Sequence, residues 1–178
     1  MLDTCAAPGG KTTLIAQLMA NQGRILAREV DASRHRLIAE NCTRLGVTCV
    51  EIAGPEASPC PGAGPAGSFD RILVDAPCSN SGVMRRRVEL RWRIQEAELG
   101  RLSRTQVELL RRAAPQLKPG GTLVYSTCSL EPEENGAVVR EFLAQQPGFL
   151  LEAEKELSPV ADAVDGAYVA RLKRISPE

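Results

Sequence analysis

The chain has 178 residues, of which 43% are hydrophobic and 25% are charged, and its formal net charge at pH 7 is +0. This size and composition suit one globular domain with its own core. No run of about 18 uncharged apolar residues is present. The first residues also lack the basic and apolar segments of a signal peptide. The sequence therefore predicts neither a membrane-spanning helix nor an export signal.

Apolar residues alternate between short β-type runs and helical spacing along the chain. The predicted strands cover residues 1–4, 24–28, 47–52, 69–75, 122–125, 149–153 and 168–174. The predicted helices cover residues 14–23, 33–45, 97–117 (or 103–117) and 133–146, with Leu37, Ile38, Cys42 and Leu45 on the apolar face of the second. Residues 54–67 contain four prolines and four glycines and predict an irregular loop. This alternation predicts an α/β fold whose mostly parallel sheet carries helices on both faces.

Six cysteines stand at positions 5, 42, 49, 60, 78 and 128, and the single histidine is His35. No C-x-x-C pair occurs, so the sequence predicts no metal site. The spacing does not suggest a disulfide framework either. We therefore expect reduced cysteines and a cytoplasmic protein.

The loop CAAPGGKTT follows the first predicted strand. It is not a Walker A loop, because Cys5 stands where that motif requires glycine, and G-x-G-x-x-G is absent as well. A tight Pro-Gly-Gly turn and a helix N-terminus remain, which suit a carboxylate, although an ordinary strand-to-helix turn is the alternative. Glu29, at the end of the second strand, suits ribose hydroxyls, with Asp31 as its competitor. S-adenosylmethionine carries both groups.

Two cysteines follow the ends of predicted strands. Asp75-Ala76-Pro77-Cys78 ends the fourth strand, and Ser126-Thr127-Cys128 ends the fifth. Because open α/β sheets bind ligands at the carboxyl ends of their strands, both cysteines and Asp75 are expected to face one crevice. A buried structural role is the alternative for a free cysteine.

Three motifs together indicate a family. CAAPGGKT, DAPCSNSGVMRR and YSTCSLEPEEN, in this order and spacing, resemble the RNA 5-methylcytosine methyltransferases, the NOL1/NOP2/Sun family. The likeness extends to DGAYVARLKR at residues 165–174, and VMRRRVELRW is most similar to bacterial members that methylate small-subunit rRNA. The resemblance implies a Rossmann-like S-adenosylmethionine-dependent methyltransferase fold with a seven-stranded, mostly parallel sheet.

The resemblance also implies a mechanism. Cys128 would add as a thiolate to C6 of a cytosine in RNA, which makes C5 nucleophilic toward the sulfonium methyl group. Asp75 would hold or protonate the N3 edge, and Cys78 would assist loss of the C5 proton and release of the enzyme. Lys11 or a nearby arginine would lower the pKa of Cys128.

The same resemblance assigns the binding residues. The residues implied to hold S-adenosylmethionine are Cys5, Ala6, Ala7, Pro8, Gly9, Gly10, Lys11, Glu29 and Asp75. Residues 85–118 carry ten Lys or Arg against four Glu, a local charge of +6 that is a footprint of polyanion binding, or in part the solvated face of a helix. The candidates for RNA phosphate contacts are Arg85, Arg86, Arg87 and Arg91.

Two features depart from the family. Relatives have an aspartate after the third strand that contacts adenine, whereas Ala53 or Pro55 stands here, with Glu51 or Glu56 as candidate replacements. The first strand, expected to be central, begins at residue 1, so we expect residues 1–178 to be one catalytic domain of a longer protein, without its N-terminal RNA-binding region. We expect a monomer. The alternative function is a catalytically weak or inactive RNA-binding domain of the same fold.

Overall fold

The computed structural model describes residues 1–54, 67–92 and 94–176. Within these residues the strands are β1 Leu2–Asp3, β2 Ile25–Arg28, β3 Val50–Ala53, β4 Phe69–Asp75, β5 Leu117–Thr127, β6 Phe149–Leu157 and β7 Ala167–Arg174. The α-helices are α1 Gly10–Leu18, α2 His35–Arg44, α3 Glu96–Ala113 and α4 Gly136–Gln145. The described strands form one sheet in the order β3-β2-β1-β4-β5-β7-β6.

The sheet confirms the predicted topology. Strands β1 to β5 pair in parallel, whereas β7 runs antiparallel to both β5 and β6. The chain moves from β1 toward β3 and then, after returning to the centre, from β4 toward β5. Since crossovers between parallel strands are right-handed, this reversal places α1 and α2 on one face and α3 and α4 on the other. It also opens a crevice at the carboxyl ends of β1 and β4.

The larger part of the core lies between the sheet and the α3/α4 layer. Leu110, Tyr125 and Phe142 are fully buried there, and full burial of one such side chain contributes roughly 1.5–3 kcal/mol. On the other face a small cluster contains Ala6, Ala27 and Ile38, next to the loop that precedes α1. Buried side chains are therefore packed against both faces of the sheet that carries the crevice.

Several predicted boundaries are wrong for local reasons. Helix α1 begins at Gly10 and not near residue 14, because Gly9 adopts a left-handed φ of 102° and caps the helix. Helix α3 ends at Ala113, before a short 3₁₀ turn that contains Pro115, so Leu117 opens β5 instead of ending the helix. Strand β6 continues to Leu157, four residues beyond its predicted end.

The predicted apolar face of α2 is only half correct. Ile38 is buried and Cys42 is half-buried, but Leu37 and Leu45 are each 37% exposed. The helix lies near the edge of the sheet, so a single buried position is enough to attach it. Residues 55–66 of the loop predicted at residues 54–67, which include Cys60, lie outside the described residues, as does Arg93 of the basic stretch.

Candidate active site

A cleft of about 410 Å³ lies at the carboxyl ends of the central strands. Its volume is within the range of small-molecule sites. Seven of the residues predicted for the site line it: Cys5, Ala7, Lys11, Glu29, Asp75, Cys78 and Cys128. Arg34, Asn80 and Leu109 are among the further lining residues for which no role was predicted. One concave site therefore brings together the predicted cofactor loop and both cysteines.

The remaining residues of the predicted loop shape the turn instead of lining the cleft. Ala6 is packed into the small core cluster, and the Gly9 N–H donates to the Ala6 carbonyl at 2.7 Å. A Cβ atom at Gly9 would lie 3.3 Å from the Ile38 Cα, and the left-handed φ disfavours any side chain. Gly10 begins α1, and Pro8 is exposed. Glycine at position 9 therefore allows the loop to approach α2 closely.

Glu29 is the acidic residue that faces the cleft at the end of β2. Its carboxylate is buried and accepts hydrogen bonds from the Ala7 N–H at 3.2 Å and the Asp31 N–H at 3.1 Å. Arg34 contacts the same carboxylate at 3.4 Å and the Ala7 carbonyl at 3.0 Å. Asp31 is exposed, and its carboxylate caps the next turn by accepting from the Ser33 N–H at 2.9 Å. The geometry thus favours Glu29 over Asp31.

Asp75 is fixed between two donors. Lys11 Nζ lies 2.8 Å from Asp75 Oδ2, and Ser126 Oγ donates to Asp75 Oδ1 at 2.8 Å. A second carboxylate, Asp3, lies beneath the loop and accepts from Thr12 Oγ1 at 2.7 Å. Burial raises the pKa of Asp3 to about 6. No role in the site was predicted for Asp3 or Ser126. Asp3 lies in the first predicted strand, and Ser126 lies at the end of the fifth.

The two cysteine sulfurs are in contact, with 3.3 Å between Cys78 Sγ and Cys128 Sγ. Cys128 Sγ also donates to Asn80 Oδ1 at 3.0 Å, and Asn80 Nδ2 donates to the Cys78 carbonyl at 2.8 Å. Asn80 has a left-handed φ of 61°, a conformation that asparagine tolerates better than most residues. It was missed although it stands two positions after Cys78 in DAPCSN.

This contact shifts the pKa values of the two thiols in opposite directions. The hydrogen bond from Cys78 lowers the pKa of Cys128, and the nearby Lys11 ammonium lowers it further. The same hydrogen bond, together with burial, raises the pKa of Cys78. Burial raises the pKa of Cys5, the third cysteine in the cleft, to about 12. Cys128 is therefore the thiol that ionises most readily of these three, and its main activating neighbour is Cys78, with Lys11 second.

The predicted RNA-binding arginines are all exposed but differ in their contacts. Arg85 and Arg86 both pair with Asp165, which lies before β7, and Arg86 Nε is 2.7 Å from Asp165 Oδ2. Arg87 and Arg91 are exposed, and so is Trp92, which follows Arg91 in the sequence and is 85% exposed. Exposed indole and guanidinium groups are the side chains that stack on bases and contact phosphates in nucleic-acid complexes.

The region expected to contact adenine offers no carboxylate to the cleft in its described part. Ala53 is the last residue of β3, and Glu51 forms an ion pair with Arg24 at 2.5 Å. Pro55 and Glu56 lie outside the described residues.

The described ranges contain no group of three or more His, Cys, Asp or Glu side chains suited to a metal ion. No described helix is long and apolar enough to cross a membrane.

Three features together define the class of protein. The cleft lies where the strand order reverses, a glycine turn follows β1, and a buried glutamate follows β2. The fold is that of the Rossmann-like S-adenosylmethionine-dependent methyltransferases. Residues 1–173 match the family described as 16S rRNA methyltransferase RsmB/F. The chain belongs to this family.

Similar proteins agree with this assignment. The chain is 40% identical over 179 residues to ribosomal RNA small subunit methyltransferase B of Erwinia tasmaniensis, covering 97% of the chain and 41% of that protein. It is 41% identical over 159 residues to the probable ribosomal RNA small subunit methyltransferase B of Bacillus subtilis, covering 88% of the chain and 36% of that protein. The chain thus spans about two fifths of the length of these curated relatives.

A solved structure shares the fold closely. NSun6 from Pyrococcus horikoshii, determined with the S-adenosylmethionine analogue SFG, aligns with a TM-score of 0.87 and 34% identity. The alignment covers 99% of this chain and 48% of that one.

Proposed function

We propose that this chain is the catalytic domain of an enzyme that methylates C5 of a cytosine in RNA, with small-subunit rRNA as the substrate. The observation that carries the proposal is the 3.3 Å contact between Cys78 Sγ and Cys128 Sγ, in the same cleft as Asp75 and Glu29. Relatives named as small subunit rRNA methyltransferases support the choice of RNA.

The residues of the cleft fit S-adenosylmethionine, which supplies an electrophilic methyl group when bound. Glu29 is a buried carboxylate at a strand end, suited to accept hydrogen bonds from ribose hydroxyls. Its contact with Arg34 is long, at 3.4 Å, so a hydroxyl can replace the guanidinium there. The loop of residues 5–11 holds the methionine part, and Gly9 keeps that loop close to α2.

Cys128 acts as the nucleophile. Its lowered pKa favours the thiolate, which forms a bond to C6 of a cytosine extruded from the RNA, while the C5–C6 π electrons shift toward C5. Asp75, held by Lys11 and Ser126, accepts a hydrogen bond from the cytosine N4 amino group or, when protonated, donates its proton to N3, which makes C6 more open to attack. The electron shift makes C5 nucleophilic toward the methyl group that bound S-adenosylmethionine would supply, with its sulfur keeping the electron pair of the broken methyl–sulfur bond.

Cys78 completes the reaction. Once the Cys128 sulfur is bonded to carbon it no longer carries the charge that retains the Cys78 proton, so the main cause of the raised pKa of Cys78 is removed. Cys78 then releases its own proton to water and, as a thiolate, takes the C5 proton. The electron pair of the C5–H bond restores the C5–C6 double bond, and the bond from C6 to Cys128 breaks, which regenerates the Cys128 thiolate.

One observation favours an alternative, a weakly active or inactive domain that binds RNA. Glu51 is engaged with Arg24 and does not line the cleft, so an adenine contact that relatives make is without a described counterpart. Calorimetry separates the two functions. We expect S-adenosylmethionine to bind the chain, Glu29→Ala to weaken binding at least tenfold, and the matched control Asp31→Ala to leave it within twofold. Absence of binding at millimolar ligand would contradict catalysis by this chain.

The RNA substrate is tested in cells. Deleting the complete gene should remove one 5-methylcytosine from small-subunit rRNA, as mapped by bisulfite sequencing. The complete gene product should restore it, and the Cys128→Ala version should not. An unchanged rRNA methylation map would rule out this substrate.

A further inference from the structure

One buried carboxylate beside the cleft has no role in the proposed methyl transfer. Glu134, in the turn before α4, has an exposed fraction of 0% and accepts five hydrogen bonds. Ser79 donates its N–H at 2.9 Å to Oε1 and 3.2 Å to Oε2, and its hydroxyl to Oε2 at 2.5 Å. Ser129 Oγ donates to Oε2 at 2.6 Å, and Gln106 Nε2 donates to Oε1 at 3.0 Å.

These donors flank both cysteines in the sequence. Ser79 directly follows Cys78, and Ser129 directly follows Cys128. Gln106 Nε2 also donates to the carbonyl of Pro77, the residue before Cys78, at 2.9 Å. The loops after β4 and β5 are therefore joined through one side chain, immediately beside each sulfur.

Glu134 is itself firmly held. The Tyr125 hydroxyl donates to the Glu134 carbonyl at 2.5 Å, and Thr127 Oγ1 donates to Asn135 Oδ1 at 2.6 Å, so the turn is tied to β5 at two points. Hydrogen bonds to a carboxylate are stronger than neutral ones, and a low-dielectric interior strengthens them further. Movement of either loop would leave buried donors unpaired, which is costly.

We propose that Glu134 is a positioning residue that sets the separation and orientation of Cys78 and Cys128. This proposal rests on the proposed function for its catalytic consequence, but its geometric part does not. The contact between the sulfurs is the main cause of the lowered pKa of Cys128, so loosening the two loops should make Cys128 a weaker nucleophile.

The test compares Glu134→Gln with Glu133→Gln. The glutamine at position 134 is nearly isosteric but places an NH₂ group against donors, whereas Glu133 is exposed and serves as the matched control. We expect Glu134→Gln to lower kcat about 10- to 100-fold, the effect of losing a hydrogen bond to a charged group. The KM for RNA and the Kd for S-adenosylmethionine should stay within about twofold, and Glu134→Asp should recover part of kcat.

A readout without RNA or cofactor isolates the geometry. The pH profile of Cys128 alkylation by iodoacetamide, followed by peptide mass mapping, should move to higher pH in Glu134→Gln and stay in place in Glu133→Gln. If Glu134→Gln does not fold, Ser79→Ala and Ser129→Ala each remove only part of the network and should shift the profile in the same direction.

Two results would overturn the proposal: a wild-type alkylation profile in folded Glu134→Gln, or wild-type profiles in both serine variants. Failure of the proposed function has a different signature. In that case the wild-type protein would not methylate RNA, yet Glu134→Gln would still alter the alkylation of Cys128.

Discussion

Replacing Asp3 by asparagine should remove a pH-dependent loss of stability. Asp3 is 1% exposed, and burial raises its pKa from 3.8 to about 6. The pKa of Asp3 is higher in the folded protein than in the unfolded chain, so protonated Asp3 favours the folded state. This stabilisation is complete below pH 3.8 and is lost as the pH rises through about 6. Linkage between these two values gives a loss of about 3 kcal/mol in the free energy of unfolding by pH 7. An asparagine keeps both contacts, since Oδ1 can accept from the Cys5 N–H and Nδ2 can donate to Thr12 Oγ1.

The assay is urea unfolding of both proteins between pH 4 and pH 7. The free energy of unfolding of Asp3→Asn, minus that of the wild type, should rise by about 2–3 kcal/mol across this range. Subtraction cancels the other titrating groups, which the two proteins share. A difference that stays constant with pH would refute the reasoning, because it would mean that Asp3 ionises in the folded protein as easily as in the unfolded chain.

Three further substitutions test local geometry. Cys78→Ala removes the hydrogen bond that lowers the pKa of Cys128, so alkylation of Cys128 at pH 7.5 should slow about tenfold; an unchanged rate would contradict the contact. Gly9→Ala should cost about 1–2 kcal/mol of stability and weaken S-adenosylmethionine binding in calorimetry, whereas Gly10→Ala, which meets nothing within 4 Å, should leave stability unchanged. Gly82→Ala places Cβ 2.3 Å from the Gly166 carbonyl oxygen and should lower the melting temperature by several degrees, with Gly148→Ala as an unaffected control.

The main features of the site were predictable because they depend on strand ends. Residues that directly follow parallel strands meet at one edge of a sheet, so Glu29, Cys78 and Cys128 could be placed together without knowledge of packing. Strand β4 was predicted with its observed limits because its apolar run is bounded by a proline- and glycine-rich stretch of sequence and by Pro77.

The supporting contacts were not predictable in the same way. The hydrogen bonds of Glu134 to Ser79 join residues 55 positions apart, and nothing in YSTCSLEPEEN distinguishes Glu134 from its exposed neighbour Glu133. The partner of Arg85 and Arg86 is likewise distant, because Asp165 lies 80 residues after Arg85. Helical spacing placed Leu37 on the apolar face of α2, but it could not show how little of that face is buried. Leu37 is 37% exposed, whereas Ile38 is fully buried.

The central claim is that Cys128 forms the bond to cytosine and that Cys78 is needed to break it. The most direct measurement is denaturing electrophoresis of the complete gene product after incubation with substrate RNA and S-adenosylmethionine. Cys78→Ala should accumulate a covalent protein–RNA complex, and Cys128→Ala and the double variant should form none. A complex that persists in Cys128→Ala, or that accumulates there and not in Cys78→Ala, would contradict the account.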